Sequence, residues 1–76
     1  DIMFVDSDMN PFILVECKAP DVKVTTTTLR QGAWYNLTLR APYVLLTNGH
    51  SAFCATVDRD GAVDLLDDIP NYPATA

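Results

Sequence analysis

The sequence predicts an α/β fold with its elements in the order β-β-α-β-β-β. Three observations lead there. Short runs rich in Val, Ile, Leu and Phe are bounded by clusters of turn residues. Between the second and third runs, Leu29, Ala33 and Leu37 recur at a spacing of four, which places them along one stripe of a single helix. After that segment, Asn48-Gly49 and Arg59-Asp60-Gly61 separate three further apolar runs, as antiparallel connections do.

Each element has its own justification. Asp1 to Asp6 reads as a short strand, and Ser7-Asp8-Met9-Asn10 is a polar turn before a second strand from Pro11 to Lys18, so the pair forms a hairpin. Pro20 has no N–H for a sheet ladder and biases Ala19 towards extended backbone, which stops the second strand. Asp21 to Val24 connects to a helix whose N-cap is supplied by the threonines from Thr25 onward and which ends before Pro42. Tyr43 to Leu46 and Ala52 to Val57 are strands joined by a two-residue Asn-Gly hairpin, and Ala62 to Leu66 is the last strand. Two prolines in 70–76, with no periodicity, mark an extended tail or linker.

The composition bounds the function. A chain of 76 residues is one domain or part of one, and at this size about 60 to 65 percent of the unfolded surface is buried. The 49% hydrophobic content and a mean hydropathy of +0.09 describe a folded chain rather than a disordered tail. No apolar run approaches the roughly 20 residues of a membrane span, and the N-terminal residues lack a secretory pattern, so no membrane partner and a cytoplasmic location are expected. For the same reason the Asn36-Leu37-Thr38 glycosylation match is set aside. Cys17 and Cys54 are far apart and each falls within an apolar strand pattern; both are expected to be packed thiols, not a disulfide or a zinc cluster. Ten acidic against five basic residues give a net charge of -5 and a pI near 4.3, which predicts weak DNA binding by this chain alone.

The most informative segment is Val15-Glu16-Cys17-Lys18, which closes the apolar run Phe12-Ile13-Leu14-Val15. Strand alternation sends Glu16 and Lys18 to one face, and Val15 and Cys17 to the other. If the strand carrying Asp1 pairs with this one, a second carboxylate arrives beside them. Two carboxylates with water and phosphate oxygens suit a hard divalent cation such as Mg2+. Glu16 follows four apolar residues and is expected to be partly buried, and a buried carboxylate needs a cation or donors.

Asp1, Glu16-x-Lys18 and Gln31-x-x-x-Tyr35 together resemble the PD-(D/E)XK nuclease superfamily, with the helical Gln/Tyr pair of its RecB-like branch. The stretch Phe12 to Gly49, including Val15-Glu16-Cys17-Lys18-Ala19-Pro20, Tyr35-Asn36-Leu37-Thr38-Leu39-Arg40-Ala41-Pro42-Tyr43 and Thr47-Asn48-Gly49, resembles the N-terminal nuclease region of the restriction subunit of Type I restriction enzymes. The resemblance implies a restriction-endonuclease-like mixed sheet with one helix, apparently lacking the first helix and strand of the family core. Residues 1–69 would then be a partial nuclease domain within a larger protein.

The same resemblance implies an Mg2+-dependent DNA endonuclease module, with Mn2+ a possible substitute, acting by phosphodiester hydrolysis. Asp1, Glu16 and Lys18 would be the catalytic residues. Asp1, Glu16 and the backbone carbonyl of Cys17 would hold the metal, while Lys18 positions or activates water, and Gln31 and Tyr35 support the site. Double-stranded DNA and the modification and specificity subunits of a restriction-modification complex are the implied partners. An ATP-driven translocase follows the nuclease in that family, but no Gly-x-x-x-x-Gly-Lys-Ser/Thr loop is present in this chain.

Plainer readings stand beside these. Glu16 and Lys18 are compatible with a strand-end ion pair worth about 0.2 to 1 kcal/mol if exposed. Gln31 and Tyr35, four apart on one helical face, are equally compatible with a capping or interface pair, and Trp34 with core or a partner surface. Gly32 costs about 1 kcal/mol in a helix relative to Ala, and close approach of a neighbouring backbone is one use for it. Arg30, Arg40 and Lys23 are either phosphate contacts or solvated surface, and Asp64, Asp67 and Asp68 read as a solvated edge. His50, the lone histidine beside a glycine turn, has no assigned role. Two other function classes remain: a non-catalytic module that keeps the nuclease fold and presents Trp34 and Tyr35 to another subunit, and, more weakly, a thiol enzyme using Cys17.

Overall fold

The computed structural model describes residues 2–73, apart from the side chains of residues 33 and 35–38. Five strands and one helix follow the predicted order: β1 (Ile2–Val5), β2 (Pro11–Cys17), α1 (Thr26–Leu39), β3 (Tyr43–Thr47), β4 (Ala52–Val57) and β5 (Val63–Leu66). The strands form one mixed sheet in the order β1-β2-β3-β4-β5. Only β2 and β3 run parallel; the crossover between them is α1, and the other pairs are antiparallel. Among the described residues, no helix is long and apolar enough to cross a membrane.

The core follows strand alternation except at Phe12, which the register shift between Phe4 and Val5 skips and which joins its neighbour Ile13 in one cluster. On the side facing α1, Leu14 of β2, Val44 and Leu46 of β3, and Ala55 of β4 pack with Leu29 of α1 and with Ala41. Phe12, Ile13 and Cys54 form a second cluster with Tyr43, Leu45 and Leu66. β2 is buried continuously from Phe12 to Glu16, which explains its unbroken apolar run. The C-terminal segment reaches back to the hairpin: the Tyr72 hydroxyl donates to the Val5 carbonyl at 2.6 Å, and its ring meets Phe12 edge-on at 5.6 Å.

Turn chemistry sets the strand boundaries. Asp6 ends β1 because its Oδ1 accepts from the amides of Asp8 and Asn10, both at 2.9 Å. Asp58 repeats the device with Asp60 and Ala62, which takes Ala62 out of the predicted last strand. The third residue after each aspartate has positive φ: 67° at Met9 and 85° at Gly61. The predicted two-residue hairpin is instead a loop over 48–51. Asn48 Oδ1 accepts from His50 and Ser51 at 2.9 and 2.8 Å, while its Nδ2 donates to the Val22 carbonyl at 2.8 Å. The loop is therefore pinned to the connector before α1 as well as closing on itself.

The helix begins as the sequence predicts. The Thr28 amide donates to Thr25 Oγ1 at 3.2 Å, and the Thr25 amide to Thr28 Oγ1 at 3.3 Å, a reciprocal cap. It ends on Arg40 at φ 58°, ahead of Pro42. One expectation is corrected outright: Cys54 is buried but Cys17 is exposed, since it is the last residue of β2 and alternation turns it to the face opposite Glu16 and the helix.

Two outcomes follow from this geometry. Met9 is 76% exposed and left-handed, so replacing it with Gly should raise the urea unfolding free energy by up to about 1 kcal/mol, whereas Gly61→Ala should lower it. Burial pushes the Cys54 thiol pKa up, offset in part by a backbone hydrogen bond at Ala55. Fewer thiolates form at a given pH, so iodoacetamide at pH 8 should alkylate Cys17 at least about tenfold faster than Cys54, with the gap closing in urea.

Candidate active site at the end of the second strand

Glu16 is the one charged side chain buried among the described residues, at 7% exposure. It lies two residues beyond Leu14 and pairs across the parallel ladder with Leu46, so it shares the face that carries the helix-side core. Above it stands α1, whose buried positions Leu29 and Gly32 are one helical turn apart. The Glu16 carboxylate fills the space where a side chain at position 32 would be. A Cβ built on Gly32 would overlap Glu16 Oε2, would lie 3.4 Å from its Cδ, and would touch Val44 Cγ1 at 3.9 Å.

That oxygen, Oε2, is buried and has no hydrogen-bond partner among the described residues. Withdrawing a carboxylate oxygen from water without a donor is costly, so the position calls for a counter-charge or a donor from elsewhere. The strand-end ion pair is not formed through this oxygen. Lys18 is exposed just past β2, and its amide donates to the Thr47 carbonyl at 2.7 Å, which extends the alignment of the chain with β3 by one residue.

The other predicted site residues divide into those the structure places and those it does not describe. Asp1 lies outside the described residues; Ile2, which follows it, pairs with Val15, the residue before Glu16. Cys17 is exposed at the end of β2. Gln31 is exposed on α1 beside Gly32, whereas the side chain of Tyr35 lies outside the described set. Trp34 is 73% exposed, which removes it from the core. Lys23, Arg30 and Arg40 are exposed and scattered over the connector and both ends of α1, and Asp64, Asp67 and Asp68 are exposed as well. Among the described residues, no group of three His, Cys, Asp or Glu side chains is placed to hold a metal.

Mg2+ is the cofactor the sequence resemblance implies, and Glu16 fits it. A hard oxygen donor, buried and without a partner among the described residues, is the kind of group a divalent cation satisfies. Gly32 is the contact that sequence reasoning did not find. Its signal was present: a glycine one turn after an apolar helical position, on the same face, directed at the sheet.

Comparison with known proteins adds a family. No curated protein and no solved structure matches the chain. A family model described as "Type I restriction enzyme R protein N terminus (HSDR_N)" matches residues 1–70, nearly the whole chain. The chain therefore belongs to the family formed by the N-terminal region of the Type I restriction enzyme R protein.

Proposed function

We propose that this region is the Mg2+-dependent endonuclease module of a Type I restriction subunit, built on the PD-(D/E)XK pattern and hydrolysing phosphodiester bonds of double-stranded DNA. The observation that carries the reading is the buried Glu16 carboxylate, whose Oε2 has no hydrogen-bond partner among the described residues, two residues before Lys18 in a chain whose family is that of the R protein N terminus. Asp1, Glu16 and the Cys17 carbonyl would hold Mg2+, which when bound neutralises phosphate charge and lowers the pKa of coordinated water. Glu16 contributes a fixed charge, because the helix above it and the sheet below restrict the carboxylate to one place. Lys18 contributes an ammonium on a flexible stem, suited to negative charge developing on the scissile phosphate. Gln31 and Tyr35 are proposed to support the site from α1.

The net charge of -5 bears on partners. An acidic module of this size is a weak DNA binder, so the basic surface that holds the duplex is assigned to other parts of the R protein or to modification and specificity subunits. One observation favours a second reading, in which the same fold serves as a non-catalytic interaction module: Trp34 is largely exposed on the outer face of α1.

Replacing Glu16 with Gln, or Lys18 with Ala, in the full-length protein should each reduce Mg2+-dependent DNA cleavage by about a hundredfold or more while leaving the melting temperature within a few degrees. Undiminished cleavage by both variants would sink the nuclease assignment. Titration with Mn2+ separates the two readings: binding that disappears with Glu16→Gln supports the site, and absence of binding supports the interaction module.

A further inference from the structure

We propose that Gly32 is the positioning residue of this site: the side chain it lacks is the seat of the Glu16 carboxylate, so the helix, as well as the strand, determines where that charge stands. The inference deepens the nuclease reading and rests on it for the role of the carboxylate. Its geometry stands independently. Glu16 Oε2 occupies the space a Cβ on Gly32 would take, with Cδ at 3.4 Å from that position, and among the described residues no hydrogen bond holds the oxygen there. The oxygen lies against α1 at Gly32, with Val44 beside the same point.

The alternative for Gly32 is an ordinary helical glycine, and the two make opposite demands on substitution. Ala is the better helix former, so at an indifferent position Gly32→Ala would stabilise the protein and leave Glu16 unmoved. At a carboxylate seat, the methyl group meets the far end of a flexible side chain, not backbone. The helix survives and the carboxylate moves. The expected result is a folded protein with a misplaced acid, which a purely structural glycine would not produce.

The test uses the full-length protein with Gly32→Ala, Glu16→Gln and the double variant Glu16→Asp/Gly32→Ala. Four readouts are the melting temperature, Mn2+ affinity by calorimetry, DNA cleavage as a function of Mg2+, and the side-chain carboxyl carbon resonance assigned to Glu16 by comparison with Glu16→Gln. Gly32→Ala should keep the fold, shift that resonance, and weaken Mn2+ binding and DNA cleavage by about tenfold or more, with cleavage partly recovered at higher Mg2+. If the parent protein binds no Mn2+ through Glu16 but Gly32→Ala still shifts the resonance, the nuclease reading fails and the seat stands. A Gly32→Ala protein with the parent's resonance and the parent's Mn2+ affinity overturns the proposal. Should Gly32→Ala melt far below the parent, the double variant decides, because the shorter Asp withdraws from the new methyl: recovery of the melting temperature supports the seat, and no recovery overturns it.

Discussion

The structure depends on how closely α1 lies on the β2–β3 pair over Glu16. A charged side chain on the core face of a sheet usually forces the covering helix away or demands a partner. Here the helix carries no side chain at the opposing position, and the carboxylate occupies the gap. On the same face of the sheet, Leu29, Val44, Leu46 and Ala41 are close to fully buried, so the acid shares its face with apolar core. A dry setting raises the cost of an unmatched charge and the strength with which a matching ion would be held.

Connectivity brings this about. The one parallel pair in the sheet is the one bridged by the helix, so the end of β2 and the end of β3 finish side by side beneath the same face of α1. Such a junction gathers side chains from three elements within a short chain. The loop over 48–51 reinforces it: Asn48 closes its own turn and binds the Val22 carbonyl, fastening the end of β3 to the segment that leads into the helix. Lys18, aligned to Thr47 through its backbone, leaves the sheet at the same end.

The acidic balance of the chain is consistent with a module that works inside a larger assembly. The described basic residues are few and dispersed, and they form no continuous stripe along α1. In contrast, the outer side of the helix and its C-terminal end expose Trp34 and Leu39.

Much of this was legible from residue order. Alternating and continuous apolar runs, Pro20 and Pro42 as stops, and the threonine cap before α1 gave every element in its place, because these are local preferences acting within a few residues. Boundaries moved where a side chain hydrogen bond competed with the ladder: Asp58 claimed the Ala62 amide that the strand pattern had assigned to the last strand, and Asn48 opened the expected two-residue turn into a longer loop. The burial of Glu16 was also foreseeable, since it ends an apolar run. What no local pattern held was the meeting of Glu16 with Gly32, sixteen residues on and in a different element. That contact arises only once the crossover sets the helix over the parallel pair, and the same long-range packing decided that Cys54 is enclosed while Cys17, in a similar run, is left in solvent.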